Sequence, residues 1–336
     1  MTGDRFGATI LGCAGPALSD DEKRLFASAN PFGFILFARN IADGDQLRAL
    51  TAELRASVGR DAPIFVDQEG GRVQRLRPPL ARDWPAPLDQ VAEYGAAAPR
   101  AMQLRYRIIA AELRSYGIDG NCAPMLDVAR PGTHRFLRNR CYGEDVARVV
   151  EIGRAVAAGL TEGGVLPVVK HMPGHGLADL DSHHDLPRIS AAAEELQRVD
   201  FAAFRPFAGL PLGMTAHLVF EAFDPEAAAT VSARMMRAIR QDIGFTGLVM
   251  TDDISMQALS GDVADRGAAS LAAGCDAVLH CNGDLAEMQA LTDRVGAMTP
   301  EAHVRALAAL AARRPAPEVD IDALAAQLKG LPRGPA

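Results

Sequence analysis

Between Lys170 and Asp185 the chain carries four of its eight histidines, three aspartates and a lysine within sixteen residues. The run reads Lys170-His171-Met172-Pro173-Gly174-His175-Gly176 and continues to Asp181-Ser182-His183-His184-Asp185. It follows an apolar stretch, Val165-Leu166-Pro167-Val168-Val169, that reads as a buried strand. Titratable groups at this density are costly to fold unless they do chemistry. Asp181 and His183 stand two apart, so the carboxylate can hold the imidazole, fix its tautomer and favour its protonated form. The rival reading is a solvated surface loop. The connection from His171 to the next helix is about twenty residues, against roughly 2–6 for ordinary βα connections, and loops of that length often serve as lids.

A second acidic centre ends Gly247-Leu248-Val249-Met250-Thr251-Asp252-Asp253. Alone, such a pair reads as readily as a helix N-cap or a strand-end turn. Successive strand residues point to opposite faces, so one of the two carboxylates faces a site at the strand end, and the sequence leaves open which. A third segment is Asp67-Gln68-Glu69-Gly70-Gly71-Arg72-Val73-Gln74-Arg75. A carboxylate there can accept from paired hydroxyls while a guanidinium donates a planar fork, which suits a polyhydroxylated ligand. A structural ion-pair network is the competing account. Asn139-Arg140-Cys141-Tyr142-Gly143 adds a further arginine.

Metal chemistry competes with metal-free hydrolysis. His171, His175, His183, Asp179 and Asp181 are the ligand types of a zinc or two-metal hydrolase. His171 and His175 are four apart, but Pro173 and two glycines oppose the helix that would set both rings on one face. On residue types alone both mechanisms stand.

Eight β-rich runs alternate with helix-like runs. The strands are expected within residues 8–13, 33–37, 63–67, 117–128, 165–171, 212–217, 247–252 and 275–281. Helices are expected over 20–29, 44–57, 100–115, 144–162, 191–208, 232–241, 262–273 and 284–295, with Asp43 and Ser190 as N-caps. This predicts a single-domain (β/α)8 TIM barrel over residues 1–298. A doubly wound open sheet shares the pattern, but no Gly-x-Gly-x-x-Gly follows the first strand. Residues 299–336 read as a short C-terminal extension of two helices, 301–312 and 321–329, packing on the barrel. The chemistry-bearing residues fall at strand ends: Asp67, Asp127, Lys170 and His171, His217, Asp252 and Asp253, and Asn282. Barrel enzymes build their sites at those ends, so convergence on one site is expected.

The chain has 49% apolar and 23% charged residues and a net charge of −7, which supplies a core and argues against nucleic acid as a partner. No apolar run is long enough to span a bilayer. The five cysteines form no C-x-x-C pair and read as reduced thiols of a cytoplasmic protein. Ile10-Leu11-Gly12-Cys13 reads as part of the first strand rather than a lipoprotein cleavage site.

Residues 66–75, 139–143, 170–176 with 181–183, and 247–255 together resemble glycoside hydrolase family 3, in its bacterial single-domain β-N-acetylglucosaminidase branch. The resemblance implies hydrolysis with retention, without metal or other cofactor, of terminal GlcNAc from GlcNAc-1,6-anhydro-MurNAc muropeptides during peptidoglycan recycling. It implies Asp252 as nucleophile, His183 as acid/base and Asp181 as the residue that orients His183. Asp67, Arg75, Arg140, Lys170 and His171 match sugar-binding positions, with His217 and Asp253 as support. A cytoplasmic monomer with no membrane or nucleic-acid partner is expected. Met172 stands where Phe is common and Cys141 where Ser is common. A GlcNAc phosphorylase on the same scaffold is the alternative, because an imidazole, unlike an anionic carboxylate, does not repel phosphate; a metal-dependent hydrolase is the other.

Overall fold

The structure, a computed structural model, describes residues 5–178, 186–315 and 317–334. Eight parallel strands close into a barrel in sequence order: β1 Gly7–Leu11, β2 Pro31–Leu36, β3 Ile64–Val66, β4 Gly120–Asn121, β5 Leu166–Met172, β6 Leu212–Thr215, β7 Leu248–Asp253 and β8 Ala277–His280. β8 pairs with β1 through Thr9 and Val278, which closes the ring. Alternate residues on a strand divide between two apolar layers. Val168, Leu248 and Met250 pack inside the barrel, whereas Val169 and Val249 pack outward under the helices.

Helices cover the outside. Asp20–Ala29 opens with a Ser19 capping box, and the Asp43 side chain caps Gly44–Ser57 by accepting from the Gln46 amide. Ala98–Arg114, Val146–Glu162, Ala233–Gln241, Val263–Ala273 and Leu285–Val295 lie within two residues of their expected bounds. The helix expected over 191–208 is instead two short helices, Ala193–Arg198 and Asp200–Phe204, followed by a 3₁₀ turn. Ser190 does not cap it: the N-cap is Ala192, with no side-chain bond. The break falls at Val199 (φ −118°, ψ −66°), and the next residue, Asp200, turns inward to meet Arg130 at 2.9 Å. The helix Pro87–Tyr94 and the short antiparallel hairpin Gln68–Gly70/Val73–Gln74 were not anticipated.

Helix Pro300–Ala311 lies against the barrel interior, where Ala302, Ala306 and Ala309 join the cluster that contains Ile10, Phe65 and Met250. Two buried aspartates tie this region to the barrel. Arg305 contacts Asp276 at 2.6 Å, and Arg313 contacts Asp119 at 3.0 Å. All five cysteines are buried and unbridged. Burial pushes the Cys13 thiol up to about 12 and raises those of Cys122, Cys141, Cys275 and Cys281 as well.

Glu112, on helix Ala98–Arg114, anchors the loop that follows the hairpin by accepting from the Arg82 amide at 3.0 Å. Its other oxygen is buried without a partner. Burial lifts this carboxyl from 4.5 to about 7, against the opposing pull of the Arg82 amide and guanidinium. Between those values the unfolded chain has released a proton that the folded chain retains, so stability falls as pH rises through the window. We expect Glu112→Gln to flatten that fall, measured as urea midpoints at about pH 5 and about pH 7.5. Parallel behaviour of wild type and variant would refute the linkage.

Candidate active site

The hairpin after β3 explains why Asp67 and Arg75 meet. The Gln68 side chain accepts from the Arg75 and Leu76 amides (2.9 and 3.1 Å) and donates to the Leu76 carbonyl at 2.8 Å, pinning the returning strand. Gly70 (φ +112°) makes the turn where the buried Arg105 guanidinium crosses: a Cβ there would lie 1.8 Å from Arg105 Nη2. Arg105 donates to the carbonyls of Glu69 and Pro85 and to the Gln90 side chain. Arg75 then reaches Asp67 at 3.0 Å, with its guanidinium 5.0 Å from the Phe37 ring centre.

At the C-terminal mouth of the barrel lies a cavity of about 210 Å³. Asp67, Arg75, Arg140, Lys170, His171, Asp252 and Asp253 all line it, drawn from the ends of β3, β5 and β7 and from the loop after β4. Phe37, Met214, Met256, Leu279 and Cys281 contribute apolar wall. His217 is fully buried beside the cavity. Asp181 and His183 lie outside the described residues.

The polar wall is a charge network. Lys170 Nζ lies 2.7 Å from both Asp67 Oδ1 and Glu69 Oε1. Arg140 grips Glu69 with two parallel bonds of 2.9 and 2.8 Å. Burial alone would raise both acids, but the cations overcome it. Lys170 and Arg75 hold Asp67 far below the usual carboxylate range, and Arg140 and Lys170 lower Glu69 to about 2. Burial would conversely discharge Lys170, yet Asp67 and Glu69 drive its ammonium above the ordinary lysine range. These groups keep their charges at neutral pH.

A carboxylate–imidazole contact sits beside it. Asp127 Oδ2 meets His171 Nδ1 at 2.7 Å, while its Oδ1 accepts from the His175 amide at 2.7 Å. Burial would raise Asp127; His171 outweighs that and lowers it. Burial and the neighbouring His171 depress His175 to about 4, so its ring is neutral. Among the described residues, no group of three or more His, Cys, Asp and Glu side chains is placed to hold a metal ion.

The two neighbouring carboxylates on β7 have different surroundings. Leu248 and Met250 face the barrel interior, the pairing with β8 shifts register beyond Met250, and both Asp252 and Asp253 then line the cavity at the mouth. Its Oδ1 accepts from the Asp253 amide at 2.8 Å. The Asp253 carboxylate accepts from the Ser255 amide (3.2 Å), the Ser255 hydroxyl (2.7 Å) and the Cys281 amide (3.1 Å), which fastens the β7 and β8 loops together. His217 Nε2 lies 3.0 Å from the Asp253 carbonyl, an acceptor, so Nε2 carries the proton. Its Nδ1 then accepts from Thr230 Oγ1 at 2.7 Å, and Thr230 in turn can accept from Thr215 at 2.8 Å. Burial lowers the His217 pKa, consistent with this neutral ring.

Sequence reasoning gave no role to Glu69 or to Thr230. Glu69 lies within the Asp67–Arg75 segment, but an acid two residues beyond a strand-end Asp carries no signal that separates it from a turn residue. The sequence places Asp127 at a strand end and gives no sign of its pairing with His171.

Residues 10–311 match the family described as the glycosyl hydrolase family 3 N terminal domain. A protein from Alkalilimnicola ehrlichii named beta-hexosaminidase is 38% identical over 283 residues, covering 82% of this chain and 81% of that protein. Among solved structures, native NagZ from Neisseria gonorrhoeae is 31% identical with a TM-score of 0.83, covering 97% of this chain and 94% of that one. A family 3 β-N-acetylglucosaminidase from Paenibacillus is 29% identical with a TM-score of 0.84; the similarity covers 96% of this chain but 66% of that longer one. With a match that runs from the first strand into the helix against the barrel interior, the chain belongs to glycosyl hydrolase family 3 and is a glycoside hydrolase.

Proposed function

We propose that the protein is a retaining β-N-acetylhexosaminidase that removes terminal GlcNAc from muropeptides, GlcNAc joined to 1,6-anhydro-MurNAc with or without peptide, in cytoplasmic peptidoglycan recycling. The observation that carries this is Asp252 at the mouth of β7, lining one small cavity with Asp67, Arg75, Arg140, Lys170 and His171. A cavity of about 210 Å³ suits a single terminal ring rather than an internal stretch of polymer. The beta-hexosaminidase name of the Alkalilimnicola relative supports the hexosamine specificity.

In this reading the charged Asp67 accepts from sugar hydroxyls, and Lys170, Arg140 and Arg75 donate to them. Asp252 attacks the anomeric carbon as the glycosidic C–O bond breaks, and His183, oriented by Asp181, gives its proton to the departing oxygen. The resulting glycosyl ester is cleaved by water, which passes a proton back to His183. A carboxylate with a reference pKa of about 3.9 is ionised for attack, and an imidazole near 6.5 can both give and take a proton at neutral pH. His217, through the Asp253 carbonyl, and Asp253, through Ser255 and Cys281, hold the β7 end in place. Residues 1–298 form the catalytic barrel in this proposal, and residues 299–336 are its packing extension.

Mass spectrometry after a fluorosugar inactivator tests the reading. We expect a sugar ester on Asp252, and free GlcNAc as product whether or not phosphate is present. An adduct on another side chain would refute the nucleophile, and GlcNAc 1-phosphate formed in phosphate buffer would replace hydrolysis by phosphorolysis.

A further inference from the structure

Glu69 is charged, 1% exposed at its side chain, and absent from the cavity wall, yet both cations it binds belong to that wall. Its Oε1 receives Lys170 Nζ and Arg140 Nη2, and its Oε2 receives Arg140 Nε. The residue is held from its backbone too. The buried Arg105 guanidinium and the Tyr106 hydroxyl both donate to the Glu69 carbonyl, the latter at 3.3 Å. A carboxylate fixed this firmly behind two cavity-lining donors dictates where those donors point. The double bond to Arg140 consumes Nε and Nη2, so the guanidinium meets the cavity along a set edge. The bond to Lys170 shares one ammonium between Glu69 and Asp67, which places the lysine between its two anions.

We propose that Glu69 is a positioning residue that sets the orientation of Arg140 and Lys170 and, through them, the affinity of the cavity for the sugar. The assignment rests on the reading of the cavity as a sugar site. Arg140 and Lys170 are 9% and 2% exposed at their side chains, so the little water that reaches them from the cavity compensates poorly for a lost anion. Without Glu69 the two cations would repel across the site, and Asp67 would be the remaining acid of this network for both. The donors are spent on binding rather than on the bond that breaks. Losing their alignment should therefore weaken ground state and transition state together, which raises KM and leaves kcat little changed.

The test is Glu69→Gln, which keeps the shape and removes the charge. GlcNAc affinity is measured by calorimetry, with KM and kcat on p-nitrophenyl GlcNAc and circular dichroism to establish folding. We expect Kd and KM to rise together by roughly tenfold or more, with kcat at saturation within about threefold of wild type. Glu69→Asp, one methylene shorter but still charged, should recover part of the affinity. Should Glu69→Gln fail to fold, Glu69→Asp decides alone: weaker GlcNAc binding by a folded variant supports the assignment, and wild-type binding overturns it. A purely structural role would lower thermal stability while leaving Kd unmoved below the transition, and that result overturns it. So does a loss confined to kcat. A wild-type protein that neither binds GlcNAc nor cleaves the glycoside overturns the functional reading and this assignment with it. Wild-type binding alongside an indifferent Glu69→Gln overturns the assignment alone.

Discussion

Asp252→Ala is expected to reduce turnover of p-nitrophenyl GlcNAc by about 10⁴-fold or more, with folding intact. The unequal surroundings of the two neighbouring acids make the prediction specific. Asp252 and Asp253 both line the cavity at the end of β7, but their partners differ. The neighbouring acid offers no replacement. Asp253 already accepts three hydrogen bonds from Ser255 and Cys281, and freeing it would unfasten two loops. Because the ester cannot form without the Asp252 carboxylate, the loss should appear in kcat as well as kcat/KM, whatever the leaving group. Near-normal rates would remove Asp252 from the mechanism.

His183→Ala should behave differently, and the difference is diagnostic. With the natural disaccharide the departing sugar oxygen is a poor leaving group that needs a proton, so a loss of about 10²–10⁴-fold is expected. With p-nitrophenyl GlcNAc the departing phenolate is stable by itself, and the first step should proceed at a much smaller penalty. The second step still lacks its base. A burst of nitrophenol equal to the enzyme concentration should therefore precede slow steady turnover. Equal losses on both substrates, without a burst, would count against proton transfer by His183. The variant leaves the Asp67–Lys170–Glu69–Arg140 network intact, so sugar affinity should be retained.

The barrel was legible because its signals are local. Short β-rich runs alternate with helical ones, and caps such as Asp43 are set by a side chain and an amide three residues on. The clustering of Asp67, Lys170, His171 and Asp252 followed once the strands were placed, since strand ends share one face of a barrel. What stayed hidden depended on contacts distant in sequence. Glu69 acquires its character only from Arg140 and Lys170, 71 and about a hundred residues away. What distinguishes Asp253 from Asp252 is likewise a distant contact, the Cys281 amide 28 residues on. At the helix break after Val199, Asp200 pairs with Arg130, 70 residues away in the chain.

The fate of the five thiols has a practical side. Each lies inside the protein, and each holds its proton well above neutral pH. Alkylating reagents act on accessible thiolates, so Cys13, Cys122, Cys141 and Cys275 are expected to stay silent toward maleimide, and Cys281, in the cavity wall, is the one position where a reagent could enter. One cysteine engineered at an outward position such as Val304, which is 64% exposed, would then accept a dye or an immobilisation tether with at most Cys281 to replace first.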